Sequence, residues 1–372
     1  MELLKYIFFL TRIKNLGNVK IRNICSYYDL PEDFFKCKIS DLKKIEGIDS
    51  VISGEILKSI SDRDRIFRDY DKVREHSFKK GMAMTTIFNN DYPENLKNIF
   101  DAPVLLYYKG KLSEKDKYSI SIVGTRSPTE FGKYNCEKFS EELSSLNIPL
   151  ISGFARGIDT IVHRVSLKQG NLTYAVLGSG ADVIYPFENR KLYYDMVEKG
   201  AVISEFEPGA KPDKVNFPRR NRIISGISVG TLVVESGIKG GALLTAEIAV
   251  DQNKEVFALP GYINSRQSEG TNELIKKGQA KLVTCTDDIL VELQSKLNTV
   301  SNKKTEKVSD SVMESMNDSE RKIFNALDYE PVHIDKINEI TSLDISDCLV
   351  SLLSLEFKNL VKQLPGKNFI RS

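Results

Sequence analysis

Pro149-Leu-Ile-Ser-Gly-Phe-Ala-Arg-Gly-Ile-Asp-Thr-Ile-Val-His-Arg-Val165 holds a strand, a glycine turn and a helix in one short stretch. Residues 149–152 are an apolar run, and Gly153 and Gly157 punctuate the turn. Ile158, Ile161, Val162 and Val165 then recur at i, i+3, i+4 and i+7, the stripe of an amphipathic helix. The unit repeats along the chain. Apolar runs stand at 120–123, 173–177, 201–204, 231–234, 255–259 and 281–284, each followed by helical spacing, as in Cys136, Phe139, Leu143 and Leu146. Strands alternating with helices predict an α/β fold, a Rossmann-like, mostly parallel, doubly wound sheet with helices on both faces.

In a right-handed parallel sheet the strand-to-helix turns gather on the carboxyl edge, where ligands bind. Those turns are Gly124-Thr-Arg126, Gly153 to Gly157, Gly178-Ser-Gly180, Glu205, Glu235-Ser-Gly237 and Pro260-Gly261. Glycine lets backbone approach a ligand, and helix N-termini offer free N–H groups to an anion. Phe217-Pro-Arg-Arg-Asn-Arg222 adds Arg219, Arg220, Asn221 and Arg222 just before the apolar run at 231–234. Arginine donates several hydrogen bonds from a planar, permanently charged fork and suits phosphate. With Arg126 and Arg156 on the same edge, a phosphate-lined groove is expected.

Which phosphate ligand follows by elimination. The dinucleotide fingerprint G-x-G-x-x-G is missing after Val123 and after Leu177, and there is no Walker A loop or G-x-S-x-G elbow. No nucleotide cofactor and no catalytic residue is expected. Five cysteines lack C-x-x-C spacing and only three histidines accompany them, so no metal site is expected and the thiols read as those of a reducing compartment. A net charge of +2 over 372 residues makes any nucleic-acid surface a local patch. No apolar run reaches membrane-spanning length and no signal peptide is evident, so a cytoplasmic protein without a membrane partner is expected.

Val123-Gly-Thr-Arg126, Ser152-Gly-Phe-Ala-Arg-Gly-Ile-Asp159, Gly178-Ser-Gly-Ala-Asp-Val-Ile-Tyr-Pro186, Phe217-Pro-Arg-Arg-Asn-Arg222, Leu243-Leu-Thr-Ala246 and Gly270-Thr-Asn272 occur in this order. Together they resemble the DprA/Smf family of DNA-processing proteins. The resemblance implies a homodimer that binds single-stranded DNA in natural transformation or recombination and helps load a RecA-type recombinase, with no catalytic reaction. It places DNA contacts at Gly124, Thr125, Arg126, Gly153, Phe154, Arg156, Gly157, Gly178, Gly180, Phe187, Arg219, Arg220, Asn221, Arg222, Gly240, Gly241, Asn272 and Lys276. Arginines would hold phosphates, and Phe154, Tyr185, Phe187 and Phe217 either offer stacking faces to bases or fill the core. Gly240 stands where the family usually has serine. The alternative is a nucleotide N-glycosidic hydrolase of the lysine-decarboxylase-like group, but Glu235 to Glu247 lacks that group's proline and spacing.

Four segments are expected. Residues 1–75 form a helical domain resembling a helix-hairpin-helix or sterile-alpha-motif unit, which either holds a phosphate on its hairpin N–H groups or serves as an interaction or packing module. Residues 76–297 form the Rossmann-like DNA-binding domain, 298–312 a polar linker and 313–372 a winged helix. The expected recognition helix, Ile345 to Glu356, is apolar and slightly acidic, which disfavours major-groove reading and points to protein contact.

Overall fold

The computed structural model describes residues 2–28, 30–301, 316–327, 332–358, 360–364 and 367–371. The chain forms two compact units, residues 1–297 and 298–372.

The first unit is built on a nine-stranded sheet. Its strands are β1 (Ala83–Thr86), β2 (Leu105–Gly110), β3 (Ile120–Val123), β4 (Leu150–Ser152), β5 (Thr173–Val176), β6 (Ala201–Ser204), β7 (Gly230–Val233), β8 (Glu255–Ala258) and β9 (Lys281–Leu282), in the order β1-β2-β6-β5-β4-β3-β7-β8-β9. All seven expected strands are present and pair in parallel. Two antiparallel strands at one edge, β1 and β2, were not expected. The signal was available in the apolar run from Val104 to Tyr108. The chain winds outward from β3 to β6, then crosses back to place β7 beside β3, with Ile120 in register with both Leu150 and Gly230. The winding reverses between β3 and β7, so a ligand crevice is expected at their carboxyl ends.

Alternate strand residues feed opposite faces. Ile151, Val176, Ile203 and Val233 join one core with Ile223, Ile224, Ala246 and Ala249 from the helices Asn216–Ile227 and Gly241–Asp251. On the other face Ile120, Ile122 and Leu150 pack on Phe139 and Leu143 of the helix Glu130–Ser145 and on Ile158 and Val162 of the helix Ile158–Lys168. The first core continues without a break into Phe8, Phe9 and Phe34 of the N-terminal helices, so residues 1–75 share a compact unit with the sheet.

Neither glycine-marked hairpin at the N-terminus offers a free anion site. Asn18, at the start of the first returning helix, donates to Glu205 at 3.1 Å and accepts from the Val104 N–H at 3.3 Å, which seats that turn against the sheet. The second returning helix is capped by its own Asp49, which accepts from the Ile52 N–H at 2.8 Å. A carboxylate there repels phosphate.

The helix Thr286–Ser301 covers the first residues of the expected linker. The rest of the linker lies outside the described residues. In the second unit the helices Asp318–Ala326, Ile334–Thr341 and Ile345–Phe357 pack beside a three-stranded sheet made of β10 (Val332–His333), β11 (Val361–Leu364) and β12 (Asn368–Arg371), ordered β10-β12-β11. This is the winged helix read from the sequence. Its third helix leaves Ile345, Leu349, Val350 and Leu353 exposed.

Candidate nucleic-acid interface

A crevice of about 480 Å³ opens at the carboxyl ends of β3 and β7. Gly124, Thr125 and Arg126 line one wall, Arg220 and Asn221 another, and Lys239, Gly240 and Gly241 a third. Beside it a narrow cleft of about 20 Å³ is bounded by Arg126, Gly153, Arg156, Gly178, Tyr185 and Phe217. That is room for roughly one water molecule, so a base enters only when an aromatic ring moves aside.

The three arginines of the basic run have three destinations. Arg219 is exposed, with its guanidinium 5.6 Å from the centre of the Phe206 ring. Arg220 is 4% exposed and donates from Nη1 to the carbonyls of Gly153 and Val176, and from Nε to Asn221 Oδ1 at 3.2 Å. Burial pulls its pKa down to about 10, with Asp159 opposing and Arg126 reinforcing the shift, so it stays charged at neutral pH. Arg222 is turned toward β6, where it pairs with Glu205 and with Asp101 at 3.1 Å. Free phosphate-binding arginines were expected at all three positions. Arg220 and Arg222 are instead held inside, because a helix turns about 100° per residue and cannot aim neighbours alike.

Two glycines make room for side chains rather than for ligand. A Cβ on Gly153 would lie 2.5 Å from Arg220 Nη1, and one on Gly178 would lie 2.8 Å from Phe217 Cδ1. The missing atoms let the guanidinium and the ring pack onto the turns. Phe217 in turn lies 5.5 Å from the exposed Arg126 guanidinium and 6.1 Å from the Tyr185 ring.

Other expected residues lie elsewhere. Phe154 is fully buried against His163 and Tyr193 in a left-handed backbone conformation, φ +62°, and cannot present a face to a base. Gly157, φ +77°, packs under the Thr125 carbonyl, and Gly180 donates to Ala210 O at 2.8 Å. Neither lines the crevice. Asn272 spends its amide on both backbone groups of Gly261, at 3.1 Å each. Lys276 ends the helix that leads from β8 back to β9, at the amino edge of the sheet. Arg156 pairs with Glu188, and Phe187 is 69% exposed on the neighbouring turn.

Gly240 precedes the helix Gly241–Asp251, which has no side-chain cap, and Gly241 and Ala242 at its start line the crevice. A Cβ on Gly240 would fall 2.1 Å from Ser236 Oγ. The Ser236 hydroxyl therefore already occupies the space that a serine at 240 would need.

The acids here are spent on structure. Glu235 is 1% exposed and accepts from the Thr129 N–H at 2.9 Å and the Thr129 hydroxyl at 2.6 Å. Asp159 accepts from the Ala155 N–H at 3.1 Å. Burial raises its pKa while the Arg220 charge opposes that rise. Burial also pushes the His163 pKa down to about 3, so this imidazole is neutral, with Nδ1 on Thr173 Oγ1 at 2.8 Å. Among the described residues no group of acids, histidines and cysteines could hold a metal ion, and no helix is long and apolar enough to cross a membrane.

A family model described as DNA recombination-mediator protein A matches residues 83–294. The chain belongs to that family, DprA. A second model, the DprA winged helix domain, matches residues 311–367. Protein Smf of Synechocystis is 31% identical over 97% of both chains. The DNA processing protein DprA of Streptococcus pneumoniae is 39% identical over 62% of this chain and 81% of its own. The crystal structure of S. pneumoniae DprA superposes with a TM-score of 0.66 at 33% identity, covering 78% of this chain and 99% of that one. DprA of Helicobacter pylori, described for its single-stranded DNA binding mode, gives a TM-score of 0.52 at 29% identity over 58% and 98%.

Lys239 was missed on sequence. It lines the crevice, is exposed and has no ion pair among the described residues. The signal was its place in the glycine-rich turn after β7.

Proposed function

We propose that this chain binds single-stranded DNA along the carboxyl-edge crevice and serves DNA processing in transformation or recombination, as a binding protein rather than a catalyst. One observation carries the reading: Arg126 and Lys239, both exposed and without ion pairs among the described residues, flank an uncapped helix N-terminus beside the Phe217 and Tyr185 rings. Cations and bare N–H groups suit a phosphate chain, and neighbouring rings suit unpaired bases. The family membership and the single-strand binding described for the H. pylori relative support it. Action as a homodimer that hands the strand to a RecA-type recombinase belongs to the same reading.

Hydrolysis finds less support, because Glu235 is consumed by Thr129 and, among the described residues, Asp159 is the one acid lining the crevice. The test is fluorescence anisotropy with single-stranded and duplex oligonucleotides over rising salt, beside an assay for base release from nucleotides. Preference for the single strand, with affinity falling steeply with salt, is the expected result. Base release without strand binding would overturn the reading.

A further inference from the structure

A cluster of exposed aromatic side chains stands at the β8 side of the crevice, outside every residue set considered above. Phe131 and Tyr134, on the helix after β3, are 38% and 67% exposed, while Tyr262 and Ile263, on the loop after β8, are 77% and 88% exposed. The Phe131 and Tyr262 rings meet edge to face, with centroids 6.4 Å apart. The two segments are tied at the crevice itself: Gln267, one of its lining residues, donates to the Ser127 carbonyl at 3.5 Å. The Tyr262 ring thus has one aromatic neighbour and remains 77% exposed.

We propose that this cluster is a stacking platform for the bases of single-stranded nucleic acid that leave the crevice. The inference rests on reading the crevice as a single-strand site. Continuity and charge select this occupant. Arg126 and Lys239 line the crevice, and the exposed Arg266 sits on the loop that carries Tyr262, its carbonyl 3.2 Å from where a Cβ on Gly237 would lie. The backbone of a strand passing from the crevice to Tyr262 therefore runs beside cations. Glu130, next to Phe131 in the chain, pairs with Lys133 at 2.6 Å. Bases stack on aromatic faces whatever their sequence, and each such contact is worth about 1–3 kcal/mol, roughly a 5- to 150-fold change in affinity.

The chain has no tryptophan, so Tyr262→Trp in the full-length protein places a sole indole reporter on the platform. Its fluorescence is followed with unlabelled oligothymidylate, and binding is followed separately by anisotropy of labelled strands of about 5 and about 15 nucleotides. The expected result is quenching that saturates together with binding of the longer strand. Tyr262→Ala should weaken the longer strand roughly tenfold while leaving the shorter unchanged, and Tyr262→Phe should restore it. An unquenched indole on a protein that binds both strands, with Tyr262→Ala matching the parent, overturns the platform and leaves the crevice reading standing. Quenching that follows protein concentration without DNA overturns it in favour of self-association. Absence of strand binding in the parent protein sinks both readings.

Discussion

Arg220 occupies the space that a side chain on Gly153 would fill: its Nη1 lies 2.5 Å from the position of a Cβ there and donates to the Gly153 carbonyl. A guanidinium from the helix after β6 is thereby clamped on the turn after β4, beside Asp159. This contact fixes the crevice wall that Arg220 forms against the turn after β4.

Gly153→Ala should accordingly act through the fold. The added methyl must push aside the far end of a buried, hydrogen-bonded guanidinium, and overpacking of this kind costs about 1–3 kcal/mol. Arg220→Ala removes the buried donor shared by the Gly153 and Val176 carbonyls and should cost about 1–3 kcal/mol. Urea unfolding measures both, and a parent-like midpoint for Arg220→Ala would refute the clamp.

Arg126→Ala should show the opposite pattern. The side chain is exposed and free of ion pairs among the described residues, so stability should stay within about 0.5 kcal/mol of the parent. Affinity for single strands should fall for every sequence alike, and the slope of log affinity against log salt should become shallower by about 0.7. Lys239→Ala should behave in the same way.

Arg222→Ala separates a buried structural arginine from a binding one. It leaves Glu205, whose Oε2 already lacks a hydrogen-bond partner, with Asn18 as its remaining donor. A stability loss of about 3 kcal/mol is expected, with the salt slope of the folded variant unchanged.

Asp116 and His163 make opposite contributions to acid stability. Burial, aided by Glu94 and opposed by a hydrogen bond from Tyr174, raises the Asp116 pKa to about 7; burial lowers that of His163 to about 3. Between about pH 4 and 6.5 the folded protein holds a proton on Asp116 that the unfolded chain has released, which favours folding at the acid end. The unfolded chain holds a proton on His163 that the fold excludes, which favours folding at the alkaline end. The two slopes offset each other. Asp116→Asn removes the first, so relative to the parent its stability should fall by roughly 1.4 kcal/mol for each pH unit of acidification across this window. Chemical denaturation at a series of pH values reads the difference, and parallel profiles would refute it.

The strands were legible because fully buried parallel strands are short apolar runs set between turns, and all seven lie where their runs predict. The antiparallel β1 and β2 escaped because half of β2 is only partly buried, which blurs its pattern. The lining of the crevice was legible at the level of turns. Gly124, Thr125, Arg126, Gly240 and Gly241 do line one crevice, since topology alone sends every strand-to-helix turn to the same edge. Phe154 was misplaced because its direction depends on a left-handed backbone that nothing in the local residues announces. Tyr262 was passed over because an exposed tyrosine in a loop acquires meaning only beside Phe131, 131 positions earlier in the chain.

The sequence by itself determined the alternation of strand and helix, the edge on which glycines and arginines collect, and the winged helix that follows. Tertiary structure alone decided which of those arginines face solvent. Arg219, Arg220 and Arg222 are chemically the same and nearly adjacent, yet the turn of the helix sends one to water, one onto the Gly153 carbonyl and one to Glu205. Burial and pairing, set by residues far away in the chain, decide which charge remains free for an anion.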